Sequence, residues 1–125
     1  MNSKLFLDTN VIIYSLQGDK HISDLIDEER LSISFITEIE LLSWPKLSES
    51  DSKLIREFVS KCRVIEYSSA LKEKVIDVRK KHGLKMSDAF VAASAILDDS
   101  PLISSDTVFS RVLELQFFQI KPGKK

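Results

Sequence analysis

A chain of 125 residues that is 43% hydrophobic and 30% charged can bury one core, so a single domain over residues 1–125 is expected. Its 18 Lys and Arg against 19 Asp and Glu exclude the strong overall field of a dedicated nucleic-acid or anionic-membrane binder. Cys62 is the only cysteine, which excludes an internal disulfide and a multi-cysteine zinc site. No apolar run nears the roughly 20 residues that cross a bilayer, and the expected location is the cytoplasm.

In chain order, Lys4–Leu7 is a short apolar strand that ends at Asp8, and Val11 to Leu16 continues with helical spacing until Gly18 and Asp19 break it. A second helix is expected from about His21 to Glu29. Leu31, Ile33 and Phe35 alternate with Ser32 and Ser34 as a strand, which runs into Thr37 as the expected N-cap of the next helix. Pro45 ends that helix, and Ser48 opens another with Leu54, Ile55, Phe58 and Val59 on one side. A third strand is expected within residues 62–67. Leu71, Val75 and Val78 line an amphipathic helix closed by Gly83. Ser87 is the expected N-cap of a buried, alanine-rich helix; a fourth strand then leads to Asp106, a fifth lies within residues 115–120, and residues 121–125 are expected to fray. Strands alternating with helices predict an α/β fold: a mostly parallel sheet of about four to five strands with helices on both faces.

Such sheets collect their active groups at the carboxyl ends of the strands. Asp8 and Asp106 follow the first and fourth strands, Glu40 is expected in the first turn of the helix after the second, and Asp88 opens the alanine-rich helix. Singly, each has a structural use as a helix cap or a partner of the helix dipole. Together, four carboxylates in one cleft repel one another unless cations sit between them. An all-oxygen donor set suits a hard ion, Mg²⁺ or Mn²⁺, and phosphoryl chemistry. His21 and His82 read as surface or helix-end residues, no G-x-S-x-G elbow is present, and three glycines leave no Gly-rich phosphate loop.

The ordered segments FLDTNVIIY, ISFITEIELL, MSDAFVAASAIL and LISSDTVF resemble the PIN domain, in particular the small VapC-type toxins of toxin–antitoxin pairs, across essentially the whole chain. The resemblance implies a three-layer α/β/α sandwich and a divalent-metal-dependent endoribonuclease whose metal-holding, catalytic acids are Asp8, Glu40, Asp88 and Asp106, supported by Asn10, Thr37 and Ser104. It also implies an RNA substrate, a cognate antitoxin and a homodimer. Where many relatives carry a further acid, Val108 precedes Phe109 here. Glu38 lies two positions from Glu40 on a helix and cannot share its direction. Setting the four site acids aside from 19 leaves 15 against 18 bases, a surplus of positive charge compatible with RNA, with Lys46, Lys85 and Arg111 as candidate phosphate contacts. Residues 79–82 (RKKH) read as a solvated helix end.

Two other readings stay open at this level. Asp8 could be the nucleophile of a haloacid-dehalogenase-like phosphatase, although Asn10 stands where such enzymes place a second aspartate. Alternatively, the chain is a non-catalytic module that binds RNA or protein, with Leu41, Leu42, Trp44, Leu54 and Phe58 offering apolar surface.

Overall fold

The computed structural model describes residues 3–123. Five strands, β1 (Lys4–Leu7), β2 (Arg30–Ser34), β3 (Arg63–Ile65), β4 (Leu102–Ser104) and β5 (Phe117–Gln119), form one sheet in the order β3-β2-β1-β4-β5. Every pairing is parallel. Six helices connect them: α1 (Thr9–Leu16) and α2 (Lys20–Ile26) after β1, α3 (Phe35–Leu42) and α4 (Glu49–Ser60) after β2, and α5 (Ser69–His82) and α6 (Met86–Asp98) after β3.

The winding explains the layers. From β1 through β2 to β3 the chain steps in one direction; it then returns past β1 to β4 and β5. Parallel crossovers are right-handed, so reversing the direction moves the connecting helices to the opposite face. The two cores divide accordingly. Leu7, Ile33 and Ile103 pack with Val11, Ile12, Ile22, Leu41, Ile55 and Val59 of α1 to α4. Phe6 and Leu102 point the other way, onto Leu71, Val75 and Val78 of α5 and the alanines of α6. Alternation along a strand thus feeds both layers, as the pleat requires.

The expected elements are all present, with shifted starts. Ser34, not Thr37, caps α3: its Oγ accepts from the Ile36 N–H at 3.1 Å, so Phe35 is helical and Thr37 is buried inside the helix. Glu40 consequently lies in the second turn of α3, and the acid of the first turn is Glu38. Ser87 likewise falls inside α6; Lys85 holds the N-cap position and gives no side-chain cap. α2 ends at Ile26, short of Glu29. Ser48 caps α4, and Gly83 closes α5 at φ 67°, a left-handed conformation in which a Cβ is strained. Of the tail expected to fray, Lys124 and Lys125 lie outside the described residues, whereas the Gly123 N–H donates to Asp19 Oδ2 at 2.7 Å.

Candidate active site

The strand order reverses between β1 and β4, and the carboxyl ends of the strands at such a point are where sheets of this kind bind their ligands. Asp8, the residue after β1, lies there. Its own N–H donates to the carbonyl of Ile103 in β4, so the backbone of the neighbouring strand sets its position. Only 8% exposed, Asp8 is the most buried of the four acids. Its Oδ1 accepts from the Thr9 N–H at 2.9 Å and caps α1; its Oδ2 accepts from Ser104 Oγ at 2.7 Å and Asn10 Nδ2 at 3.1 Å.

Two of the three supporting residues, Ser104 and Asn10, form a frame around this carboxylate. Ser104, the last residue of β4, is fully buried; besides donating to Asp8, its Oγ accepts from the Asp106 N–H at 3.0 Å and from Asn10 Nδ2 at 3.3 Å. Asn10 ties in the segment after β4 by accepting from the Ser105 N–H at 3.2 Å. One hydroxyl therefore links two of the acids. Ser104→Ala should cost roughly 1–3 kcal/mol by leaving these groups without their partner. It should also lower metal affinity or activity about 10–100-fold, as removal of an outer supporting group does. Chemical denaturation and a metal titration check the two effects.

Glu40 and Thr37 approach from α3. Glu40 Oε1 accepts from Thr9 Oγ1 at 2.8 Å, and Thr9 Oγ1 lies 3.3 Å from Thr37 Oγ1. Thr9 is the site residue that the sequence pattern did not single out; its signal was its place beside Asp8, ahead of a helix. Asp106 caps a 3₁₀ turn, Thr107–Arg111, by accepting from the Val108 N–H at 2.9 Å. Asp88 lies half-buried in the first turn of α6, and its carboxylate makes no hydrogen bond among the described residues.

These acids feel one another. Burial raises the Asp8 carboxyl above its ordinary range despite the hydrogen bonds from Ser104 and Thr9, and the charges of Asp88 and Glu40 push it further. Asp88 is also raised, first by desolvation and then by Asp106 and Glu40, while Lys85 pulls it back. A buried carboxylate with other acids near it and one lysine opposing them has the charge pattern a hard cation would relieve. Among the described residues, however, no three Asp, Glu, His or Cys side chains stand close enough to hold an ion. Asp8, Glu40 and Asp106 are each drawn to their own donors. The all-oxygen donor set and its uncompensated charge still fit a hard divalent ion, and one drawn between them would replace some of those hydrogen bonds.

A doubly wound α/β domain with acids at its switch point defines a class in which phosphate chemistry is at home. The PIN domain family model matches residues 5–115, and the chain belongs to the PIN domain family. Members of this family are nucleases, and they generally use divalent metal ions. The fold is similar to a toxin–antitoxin complex from Klebsiella pneumoniae, with 26% identity over 94% of this chain and 100% of the other and a TM-score of 0.80. It is also similar to VapBC-1 from nontypeable Haemophilus influenzae, with 25% identity over 93% and 97% of the two chains and a TM-score of 0.73. VapBC2 from Rickettsia felis, bound to a DNA fragment of its promoter, shares the fold at 20% identity over 94% and 99%, with a TM-score of 0.80. No curated protein sequence matches the chain.

Proposed function

We propose that this chain is the toxin of a toxin–antitoxin pair: a single-domain, divalent-metal-dependent endoribonuclease that hydrolyses RNA phosphodiester bonds, with Asp8, Glu40, Asp88 and Asp106 as its catalytic, metal-holding acids. The observation that carries the reading is the hydrogen-bonded frame at the switch point of a PIN fold, in which Ser104 joins Asp8 to the Asp106 backbone and Thr9 joins the start of α1 to Glu40. A bound Mg²⁺ or Mn²⁺ supplies positive charge that offsets the acids' negative charge and Lewis acidity toward a phosphodiester. The chain's own part is positional. Ser104, Asn10 and the Thr9 N–H hold Asp8 still with three hydrogen bonds, which suits an oriented ligand better than an attacking nucleophile. Asn10, standing where a phosphatase of the haloacid dehalogenase type would place its second acid, is one of those donors. Thr9 orients Glu40, and the 3₁₀ turn orients Asp106.

The test is cleavage of total cellular RNA by the purified chain, freed of partner protein, in Mg²⁺, Mn²⁺ or EDTA. Discrete products that need metal and vanish in both Asp8→Asn and Asp106→Asn support the reading. Absence of cleavage under any metal, with wild-type RNA binding indifferent to Mg²⁺, would turn the assignment to a non-catalytic binding module.

The antitoxin has a matching surface. Between α1, α3 and α4 lies an apolar groove of about 490 Å³, walled by Ile13, Leu16, Trp44, Leu54 and, at its edge, Glu40. Trp44 and Leu54 are 59% and 53% exposed, so more than half of each waits to be covered. A partner helix seated there would bury them and reach Glu40, coupling capture to inhibition. Trp44→Ala should weaken the complex by at least about 30-fold, the scale of an aromatic anchor, without altering the free chain's RNA cleavage; titration calorimetry with the co-encoded partner decides it. Self-association as a dimer belongs to the same reading and is checked by light scattering.

A further inference from the structure

Tyr14 stands one turn beyond Asn10 in α1, at a spacing that puts the two side chains on the same face of the helix. Both reach the segment that carries Asp106. Asn10 Oδ1 accepts from the Ser105 N–H at 3.2 Å, and the Tyr14 hydroxyl shares a hydrogen bond with Ser105 Oγ, 3.3 Å between the oxygens. Ser105 is thus held twice from α1, once by its backbone and once by its side chain. The tyrosine ring packs against the core layer that contains Leu7, Val11 and Ile103, so an apolar body seated in the core fixes a polar tip beside the end of β4.

The neighbours of Ser105 give this contact its consequence. Ser104, before it, is fixed from two sides: its Oγ donates to Asp8, and its carbonyl accepts from the Ile120 N–H at 2.9 Å, just past β5. Asp106, after it, has its N–H on Ser104 Oγ and its carboxylate on the Val108 N–H. Between these two fixed points, the course of the chain is set from α1. We infer that Tyr14 is a positioning residue for Asp106: acting through Ser105, its hydroxyl sets the path from β4 into the 3₁₀ turn, and so the place from which Asp106 meets a divalent ion. The inference rests on the nuclease reading above. Thr9 does the corresponding work for Glu40, so one short helix orients acids delivered by two other elements. The bond is long for two hydroxyls, whose oxygens usually lie about 2.7–2.8 Å apart, which keeps the expected effect to a few-fold.

Tyr14→Phe removes the hydroxyl and keeps the ring in the core. Ser105→Ala removes the other partner and leaves the backbone bond to Asn10. These variants, their combination, wild type and a control, Tyr67→Phe, in which the altered tyrosine is exposed after β3, are compared by four measurements. These are Mg²⁺ titration calorimetry without RNA, hydrogen exchange of the Ser105 and Asp106 amides in EDTA, urea unfolding, and RNA cleavage over a Mg²⁺ series. The expected result is Mg²⁺ binding about fivefold weaker in each single variant, the factor one ordinary hydrogen bond contributes. The double variant should be no weaker than the singles, because both substitutions remove the same bond. Both amides should exchange faster in EDTA, and half-maximal cleavage should need more Mg²⁺ while kcat at saturating Mg²⁺ stays within about twofold. Tyr67→Phe should match wild type throughout.

Single variants that lose stability but keep wild-type Mg²⁺ affinity and amide exchange, while wild type binds the ion and cleaves RNA, would overturn the inference and leave the nuclease standing. Additive losses of affinity in the double variant would overturn it as well, since the two hydroxyls would then act separately. A wild-type chain that neither binds Mg²⁺ nor cleaves RNA removes both this inference and the nuclease reading.

Discussion

Asp88→Asn is expected to lower metal-dependent RNA cleavage by at least about 100-fold, since losing a metal-holding acid exceeds the loss of an outer supporting group, and yet to stabilise the metal-free protein. The second effect follows from what Asp88 touches. It sits in the first turn of α6, where the helix dipole favours a negative charge, but desolvation and the charges of Asp106 and Glu40 outweigh that help and the opposing pull of Lys85. No described group donates a hydrogen bond to it, so the amide removes charge without orphaning a donor. The sign with pH is set by the raised folded-state value. Well below the ordinary aspartate pKa of about 3.9 both folded and unfolded chains hold the proton. As pH rises the unfolded chain loses it first, so the wild type loses stability from about pH 4 upward through the folded-state value, and thereafter carries the whole penalty. The stability difference between variant and wild type should therefore grow over that window. Solvent screening of the half-exposed carboxylate keeps it below about 1 kcal/mol. Millimolar Mg²⁺ should reverse the order, because a ligand that binds the folded state alone stabilises the chain able to hold it. Denaturation midpoints in EDTA and in Mg²⁺, from pH 3 to pH 8, decide the matter. A variant less stable than wild type in EDTA at neutral pH would mean that the acids do not strain one another.

Phe6→Ala carries the largest expected cost to folding. Phe6 is fully buried in β1, the central strand, and is among the largest buried side chains of the layer formed with α5 and α6. Truncation removes a ring from a site hemmed in by Leu71, Val75, Leu102 and the close-packed alanines of α6, which have little room to collapse into the void. A loss of about 3–5 kcal/mol is expected, a large share of the roughly 5–15 kcal/mol that holds a domain of ordinary stability. Ile39→Ala, on the exposed side of α3, serves as control and should change stability by no more than about 0.5 kcal/mol. Urea unfolding measures both. A Phe6→Ala loss under about 1 kcal/mol would contradict a closed core on that face of the sheet. Because β1 also delivers Asp8, folded Phe6→Ala protein should lose activity as well.

Local patterning was enough for most of the fold. Short apolar or alternating runs bounded by polar residues located the five described strands, while apolar positions at helical spacing located α1, α4 and α5 and cap residues and an alanine-rich apolar run pointed to α3 and α6. Helix starts were less legible. Ser34 and Thr37 are both acceptable caps, and the alternation through Phe35 reads as strand; only the pairing of β2 with β1 and β3, which ends at Ser34, leaves Phe35 free to turn into α3. The same shift moved Glu40 from a first-turn position, where it would partner a cap, to the second turn, where it meets Thr9. Ser87 was displaced inside α6 for a comparable reason: Gly83 and the buried Leu84 bring the chain round early enough for the helix to begin at Met86. The RKKH run, read as a solvated helix end, separates into parts. Arg79 and Lys80 wall a groove, Lys81 pairs with Asp77, and His82 lies 2.9 Å from Glu114.

The sequence by itself determined the α/β class, the two-sided burial of the sheet and the residue types available for chemistry, because each depends on period and composition along short stretches of chain. Tertiary structure alone decided the strand order, and with it the site. Asp8 and Ser104 are 96 residues apart in the chain and 2.7 Å apart in the cleft. That meeting follows from the reversal of winding that sets β4 beside β1, and the repulsion among Asp8, Glu40, Asp88 and Asp106 exists only after it. Thr9 gained its role in the same way, since its hydroxyl has no special partner until α3 is laid against α1. Local patterns encode which face of an element is buried; which elements become neighbours is settled by the packing of the whole.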